Sequence, residues 1–222
     1  MLYKKIKVEV LELDDIKFIK KIINILNQKQ NEYTKEFLLK KEEHFHLRKC
    51  QINQVVSGNK DEVSMDYKFH EYIDDYCEGL HFESLKIEGE VLDNRFDSRV
   101  KQPQSRLSKI LTYRFEKKEE GSLSINKCLN DLYGCRITME FDDIEKLFLI
   151  LKEDFKDYKR IKLIISKKYG YEAIHIYTKG ENNYFFPWEL QIWSTNKADG
   201  NRKSHAIHKQ DYLQWTSDLN KT

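Results

Sequence analysis

The sequence predicts an α+β fold, with a mixed β-sheet flanked by helices and preceded by an N-terminal helical extension. Residues 16–26 carry apolar side chains at helical spacing, whereas the second half contains several apolar or alternating segments of strand length. Strands outnumber helices there and their connections are short, which is typical of a sheet covered by helices. We therefore expect a helical extension over residues 1–80 and a mixed-sheet domain over residues 81–222.

The first 80 residues predict one short strand and three helices. Lys5–Leu13 alternates in a strand-like way, and Asp14 and Asp15 offer an N-cap for the amphipathic helix that follows. A second helix is predicted over Glu32–Gln54, which ends before a Ser-Gly-Asn break, and a third over Tyr67–Tyr76.

The rest of the chain alternates between strands and helices. The predicted strands are Leu85–Leu92, Leu132–Met139, Ile161–Ile165, Glu172–Thr178 and Phe185–Trp193. The predicted helices are Gln104–Lys117, Ile144–Leu151 and a closing helix, His205–Trp215.

Composition excludes several classes of protein. The 40% hydrophobic content of the 222 residues supports a sizeable core, and a net charge of +2 gives no strong overall attraction to nucleic acid. No run of 18 apolar residues and no signal peptide is present, so we expect a cytoplasmic protein without a membrane partner. The four cysteines are scattered without a CxxC pair, which favours reduced structural thiols over a metal site.

A group of cations and a hydroxyl precedes two separated carboxylates. Arg99 and Lys101 lie on a strand-like segment, and Ser105 and Lys109 share one face of the next helix. Cations near a helix N-terminus suit a triphosphate, although any single lysine can equally belong to a solvated face.

Two carboxylates lie on strand-like segments. Asp131 is a possible metal ligand or a simple cap, and Arg136 follows at an odd spacing that places the pair on opposite strand faces unless Gly134 forms a bulge. Glu189 and Gln191 share one face of the last strand, where a carboxylate can bind Mg²⁺, accept a hydroxyl proton or form a cross-strand ion pair.

A glycine-tyrosine turn separates the two carboxylates. Tyr171 follows Gly170 at a loop tip, where it can stack on a base or pack half-buried, and Lys167 and His175 can contact phosphate. These side chains together could hold a stacked base, a polyphosphate and a divalent metal. Such a set indicates pyrophosphoryl or nucleotidyl transfer.

The order of these motifs resembles the synthetase domain of RelA/SpoT-type alarmone synthetases. The motifs are Arg-x-Lys-x-x-x-Ser-x-x-x-Lys, Asp-Leu-x-x-x-Arg, Lys-x-x-Gly-Tyr-x-x-x-His and Glu-x-Gln-Ile, within residues 85–212. The resemblance implies a nucleotidyltransferase-like mixed sheet and transfer of the β,γ-pyrophosphate of ATP to a 3′-hydroxyl.

The resemblance also implies a role for each matched residue. Arg99 and Arg136 would flank the adenine of ATP, and the phosphates would be held by Lys101, Ser105 and Lys109. Asp131 would bind Mg²⁺, while Glu189 would share the metal or activate the acceptor hydroxyl. Tyr171 would stack on the acceptor base, in a pocket lined by Lys167, His175 and Gln191.

Two positions depart from the family pattern. Tyr169 replaces an asparagine and Trp193 replaces an arginine, which makes the acceptor side less suited to phosphate and more suited to stacked bases. These departures resemble the toxic branch of the small synthetases, in which some members modify the 3′ CCA end of tRNA and a paired antitoxin neutralises the toxin. The alternatives are GDP or GTP as acceptor, or an inactive RNA-binding relative.

A basic cluster in the N-terminal extension gives a further expectation. It could contact an RNA backbone or form a solvated face balanced by Glu42 and Glu43. The cluster consists of Lys40, Lys41, His44, His46, Arg48 and Lys49.

Overall fold

The computed structural model describes residues 2–168 and 170–204, with side chains from residue 14 onward. Tyr169 and the predicted closing helix His205–Trp215 lie outside the described residues. The helices are α1 (Leu2–Leu39), α2 (Ile52–Val55), α3 (Tyr67–Val91), α4 (Pro103–Phe115), α5 (Ile125–Cys128) and α6 (Ile144–Asp154). The strands are β1 (Val56–Gly58), β2 (Val63–Met65), β3 (Phe96–Val100), β4 (Tyr133–Met139), β5 (Ile161–Lys168), β6 (Tyr171–Thr178) and β7 (Trp188–Ser194).

The larger sheet has five strands in the order β3-β4-β7-β6-β5. Strands β4 and β7 run parallel, while the other three neighbouring pairs are antiparallel. The fold prediction is therefore confirmed: helices precede a mixed sheet and also connect its strands. A separate hairpin of β1 and β2 lies where the sequence predicted only a helix break.

The two faces of this sheet differ in chemistry. One face is apolar and is covered by helices, with Ile137, Ile174, Ile176, Leu190 and Ile192 all buried there. The opposite face carries most of the polar residues that the sequence singled out. Alternation with a period of two thus separates the core from the candidate site.

Helix α1 is part of the same core as the sheet. Ile19, Ile22 and Leu26 are buried in the hydrophobic cluster that contains the strand residues. Gln30, which is fully buried, donates hydrogen bonds to the carbonyls of Thr178 at 3.1 Å and Phe186 at 2.7 Å. The helix is thereby fixed to the ends of β6 and β7.

Several element predictions in the first 100 residues are wrong. The predicted strand Lys5–Leu13 and the Asp14-Asp15 cap lie within α1, and the predicted helix Glu32–Gln54 ends at Leu39. The predicted strand Leu85–Leu92 belongs to α3, where Ile87 and Val91 are buried four residues apart and Leu85 is exposed.

The predicted domain boundary at residue 80 falls inside α3, which packs against β3. The division into two domains stays a prediction.

Removing the Gln30 side chain should destabilise the fold, because two buried carbonyls lose a donor. We expect Gln30→Ala to lower the free energy of unfolding by about 2 kcal/mol, measured by urea denaturation. Gln28→Ala is the matched control, since Gln28 lies on the same helix, is exposed and donates its hydrogen bond to the neighbouring Glu32 side chain rather than to a buried carbonyl. Equal losses in the two variants would contradict the role assigned to Gln30.

Candidate active site

The register of the five-stranded sheet collects the candidate residues into two rows on its polar face. The central row crosses all five strands and consists of Arg99, Gly134, Glu189, Tyr177 and Lys162. The second row lies beside it and consists of Asp97, Arg136, Gln191, His175 and Ile164. Pairing across the sheet thus brings together residues that are up to 94 positions apart in the chain, as for Asp97 and Gln191.

Asp131 joins this face from the loop before β4. Its Oδ2 accepts a hydrogen bond from Lys101 at 2.8 Å, and its Oδ1 accepts one from Lys109 at 3.0 Å. Burial raises the pKa of Asp131, but the charges of Lys109 and Lys101 outweigh it and hold the pKa well below its ordinary value. Because Asp131 precedes the strand, no bulge at Gly134 is needed to place it near Arg136.

Lys109 lies deep in this cluster. Its ammonium also donates to Asn130 Oδ1 at 3.0 Å, and its side chain is only 15% exposed. Burial lowers the pKa of Lys109, but the carboxylate of Asp131 outweighs this effect and raises it. The site therefore holds two lysine charges beside one carboxylate, an excess of positive charge that suits a polyphosphate.

Glu189 is the second carboxylate, and three side chains hold it. Its Oε1 lies 2.8 Å from His175 Nδ1 and accepts from Tyr177 Oη at 2.7 Å, while its Oε2 accepts from Gln191 at 2.7 Å. Burial raises the pKa of Glu189, but the hydrogen bond and charge interaction with His175 and the hydrogen bond from Tyr177 together outweigh burial and lower it. A buried carboxylate held ionised in this way keeps a fixed position and a fixed charge.

Arg99 and Arg136 occupy the β3–β4 side of the same face. The Arg99 side chain lies over Gly134, where a Cβ would come within 3.9 Å of Arg99 Nε. The Arg136 guanidinium forms an ion pair with Asp97 and lies 4.3 Å from the centre of the Trp193 ring. A cavity of about 170 Å³ opens here, bounded by both arginines and both carboxylates.

Ser105 lies in the first turn of α4, one turn before Lys109. The N-cap residue Gln102 makes no side-chain hydrogen bond to the first amides of the helix. Such amides and a hydroxyl are suitable ligands for phosphate oxygens. Arg106 fixes this entry, because it donates to the Lys101 carbonyl at 3.0 Å and pairs with Asp74.

Lys167 is not brought together with the other predicted acceptor residues. It pairs in register with Glu172 and forms ion pairs with Glu145 of α6 and with Glu172, on the face of the sheet opposite His175. The turn through Gly170 changes which face successive residues occupy, so the Lys-x-x-Gly-Tyr spacing alone does not place Lys167 in the site.

Tyr171 is tied into the site rather than projecting from a loop tip. Its hydroxyl lies 3.0 Å from His175 Nε2 and donates to Gln191 Oε1 at 3.3 Å. Trp193 is 1% exposed and donates to the same Gln191 oxygen at 3.1 Å. The acceptor side predicted from sequence is therefore a connected hydrogen-bond network.

Sequence reasoning missed several residues of the site. Tyr177, Asn130 and Arg106 contact the predicted residues directly, and Arg202 lines the cavity. Tyr177 could have been found, because Tyr171, His175 and Tyr177 follow the period of two along β6. Arg202 had no comparable signal, since it lies beyond the last strand.

The carboxylates fit a magnesium ion that is shared with a substrate. No cluster of three or more His, Cys, Asp or Glu side chains in the described part of the chain could hold a metal by itself. Magnesium commonly binds through one or two carboxylates together with substrate phosphates. Asp131 and Glu189 line one cavity and supply such a pair.

Two further predictions concern thiols and membranes. All four cysteines are free, and burial raises the pKa of Cys77 to about 11 and of Cys128 to about 12, as expected of structural thiols. Within residues 2–168 and 170–204, none of the helices combines the length and apolar character needed to cross a bilayer.

Neutralising Asp131 should destabilise the protein in a pH-dependent way. We expect Asp131→Asn to lower the free energy of unfolding by about 3 kcal/mol near neutral pH, because two mostly buried lysines lose their counter-charge. The lowered pKa of Asp131 means that its stabilisation is present above the unfolded value near pH 4 and is lost as the pH falls further.

Thermal unfolding from pH 3 to pH 8 measures this effect. The difference between wild type and Asp131→Asn should be constant above pH 5 and should narrow below pH 4. Asp142→Asn, at an exposed position, is the control and should match wild type throughout. A difference that grows on acidification would exclude the ion-pair explanation.

Comparisons with known proteins complete the description of the site. No family model and no curated protein matches the sequence. Among solved structures, the chain is similar to small alarmone synthetase 1 from Bacillus subtilis, at 17% identity and a TM-score of 0.37, over 69% of this chain and 91% of that one. The same enzyme bound to AMPCPP matches at 17% and 0.37, over 70% and 92%.

Small alarmone synthetase 2 from Bacillus subtilis matches at 17% identity and a TM-score of 0.36, over 70% of this chain and 91% of that one. These structural neighbours are of the kind that the motif pattern resembles. At such low identity and TM-score they do not define what this chain does, which depends on its own residues.

Proposed function

We propose that this chain is a pyrophosphotransferase that moves the β,γ-pyrophosphate of ATP to a 3′-hydroxyl, most specifically that of the 3′ CCA adenosine of tRNA. The observation that carries the proposal is the single polar face on which two lysines, two arginines and two carboxylates converge. In the reaction the 3′-oxygen attacks the β-phosphorus, the bond from that phosphorus to the α,β-bridging oxygen breaks, and AMP leaves.

The donor side supplies positive charge and flat cationic groups. Arg99 and Arg136 would flank the adenine, since guanidinium planes stack on aromatic rings. Lys101, Ser105 and Lys109 lie where the triphosphate would enter, beside the N-terminus of α4. Phosphoryl-type transfer depends mainly on such positioning and charge neutralisation.

Asp131 and Glu189 would hold Mg²⁺ together with the phosphates of ATP. A bound magnesium ion supplies charge neutralisation at the phosphate oxygens. Asp131 forms ion pairs with Lys101 and Lys109. A bound triphosphate would give these lysines new partners and leave the Asp131 carboxylate available to the metal. Glu189, held ionised by its three neighbours, is placed to accept the proton of the attacking hydroxyl.

Two features of the acceptor side support an RNA end. Lys167 forms its ion pairs on the other face of the sheet, which removes one cation that a nucleoside diphosphate would use. Trp193 holds Arg136 against its ring. The pocket beside Glu189 is then formed by a tyrosine, a histidine and an amide, which suit an adenosine better than a diphosphate.

Two alternatives remain distinct from this proposal. GDP or GTP would be the acceptor if the cations near Tyr177, such as Lys162 and Lys179, bind a 5′-diphosphate. The chain would then make an alarmone. An inactive RNA-binding relative would lack a catalytic carboxylate, whereas Asp131 and Glu189 both line the cavity. In either active form we expect a cytoplasmic enzyme, with a protein antitoxin as the partner of the toxic form.

Incubation with ATP labelled in its γ-phosphate identifies the acceptor. With tRNA and GDP in separate tubes, we expect label in tRNA, lost when the 3′-terminal adenosine is removed or its 3′-hydroxyl is blocked. Label in GDP and none in tRNA would overturn the RNA proposal while retaining the enzyme. Label in neither, with ATP bound, would favour the inactive relative.

Glu189→Gln should reduce transfer by at least about 100-fold, because the amide cannot accept the hydroxyl proton. Glu172→Gln is the matched control, since it lies on the neighbouring strand but on the opposite face. When expressed in cells, wild type and Glu172→Gln should arrest growth and Glu189→Gln should not. Growth arrest by Glu189→Gln would exclude catalysis as the cause of toxicity.

A further inference from the structure

A second cavity, of about 590 Å³, lies beside Tyr177 and is strongly basic. Six cationic side chains line it: Arg48, Lys127, Lys159, Arg160, Lys162 and Lys179. They come from the segment after α1, from α5, from the start of β5 with the two residues before it, and from the residue directly after β6. We call this feature the basic groove.

The charge of the basic groove is not balanced by the protein. No acidic side chain lines it, and within the described residues none of its cations forms an ion pair, whereas lysines elsewhere commonly do. Arg160 is used internally, donating to the carbonyls of Gly180 at 2.6 Å and Asn182 at 2.7 Å. Carbonyls carry no charge, so among the described residues none of the six cations, Arg160 included, has a counter-charge.

Burial and the neighbouring cations Lys162, Arg160 and Arg48 together lower the pKa of Lys179, because like charges face one another here. Such clustering costs stability unless an anion neutralises it. A bound polyanion removes that repulsion.

The basic groove is continuous with the candidate active site. Tyr177 lines the groove and also donates to Glu189, and Asn130 lines it and accepts from Lys109. In the central row, Lys162 is two strands from Glu189, which corresponds to about 10 Å at the usual strand spacing. A chain that leaves the site past Tyr177 therefore enters the groove.

We propose that the basic groove binds the sugar-phosphate backbone of the acceptor RNA strand, upstream of the 3′-terminal nucleotide held at Glu189. This inference rests on the proposed function, because it supplies the rest of that acceptor. Six cations from four segments exceed what the two phosphates of a nucleoside diphosphate can neutralise. The apolar side chains Ile164, Phe185 and Pro187 between the cations suit sugars and bases.

The groove also revises the basic cluster predicted in the N-terminal segment. Of that cluster only Arg48 lines the groove, whereas Lys40 pairs with Glu36 and Lys41 with Asp75. The cations that complete the groove come from β5, β6 and α5 instead. An RNA strand would thus be bound mainly by the sheet domain.

Salt-dependent binding of tRNA, measured without ATP, tests the groove apart from the chemistry. In the full chain, the triple variant Lys127→Ala, Lys159→Ala and Lys162→Ala removes three exposed cations. We expect tRNA affinity to fall by at least about tenfold near 150 mM salt, and the slope of log K against log salt to shrink by about 2. In the transfer assay KM for tRNA should rise, with kcat at saturating tRNA and the affinity for ATP unchanged.

The control is a second triple variant with the same loss of charge away from the groove. Lys117→Ala, Lys118→Ala and Lys152→Ala replace exposed lysines that line neither cavity. This variant should retain the affinity and the salt slope of wild type. An equal loss in both triple variants, or no loss in the groove variant, would overturn the assignment.

The two proposals fail in different ways. If wild type transfers no label to tRNA, the proposed function fails, but the binding arm still decides whether RNA occupies the groove. A different result is that the wild type labels GDP and the groove variant has a higher KM for GDP than the wild type. The groove would then bind a nucleoside 5′-diphosphate, and the RNA assignment would be overturned.

Discussion

The site depends on one constraint, the register of the strands around the buried carboxylate of Glu189. His175 and Tyr177 of β6 and Gln191 of β7 bind its two oxygens, so its position is fixed only when β6 and β7 pair as they do. A slip of one residue would turn every polar side chain of a strand into the core. The apolar face under α1 and α3 opposes such a slip, because it buries the alternate residues.

Electrostatics separates the two carboxylates that this register brings together. Asp131 is compensated by charges, whereas Glu189 is compensated by hydrogen bonds from neutral or titratable side chains. The ion pairs of Asp131 can change when an anion binds, because the lysines can move to phosphate oxygens. The hydrogen bonds that hold Glu189 do not involve these lysines and stay in place. In the proposed reaction, Asp131 would respond to the arriving donor, and Glu189 would meet the acceptor hydroxyl as an ionised base whose position is fixed by its hydrogen bonds.

Sequence periodicity predicted the elements that are buried on one face and missed those decided by tertiary packing. Strands β4 to β7 and helices α4 and α6 were predicted, because their alternation or helical spacing is regular. The strand predicted at Leu85–Leu92 was wrong, since a few alternating apolar residues in α3 also fit a helix with Ile87 and Val91 inward. Lys167 shows the same limit within the site: its motif spacing is correct, but the parity of β5 places it on the other face.

The two ends of the central row differ in their surroundings. On the β3 side, Arg99 lies over Gly134 beside a cavity of about 170 Å³ that is bounded by both carboxylates. On the β5 side, the row ends at Lys162 in a larger basic groove. In the proposed reaction, the donor would bind between the arginines and the carboxylates, whereas the acceptor would need only its reacting end at Glu189 and could extend along the groove. Under this proposal, the same sheet face would bind a nucleotide at one end and leave room at the other for an acceptor much larger than the site.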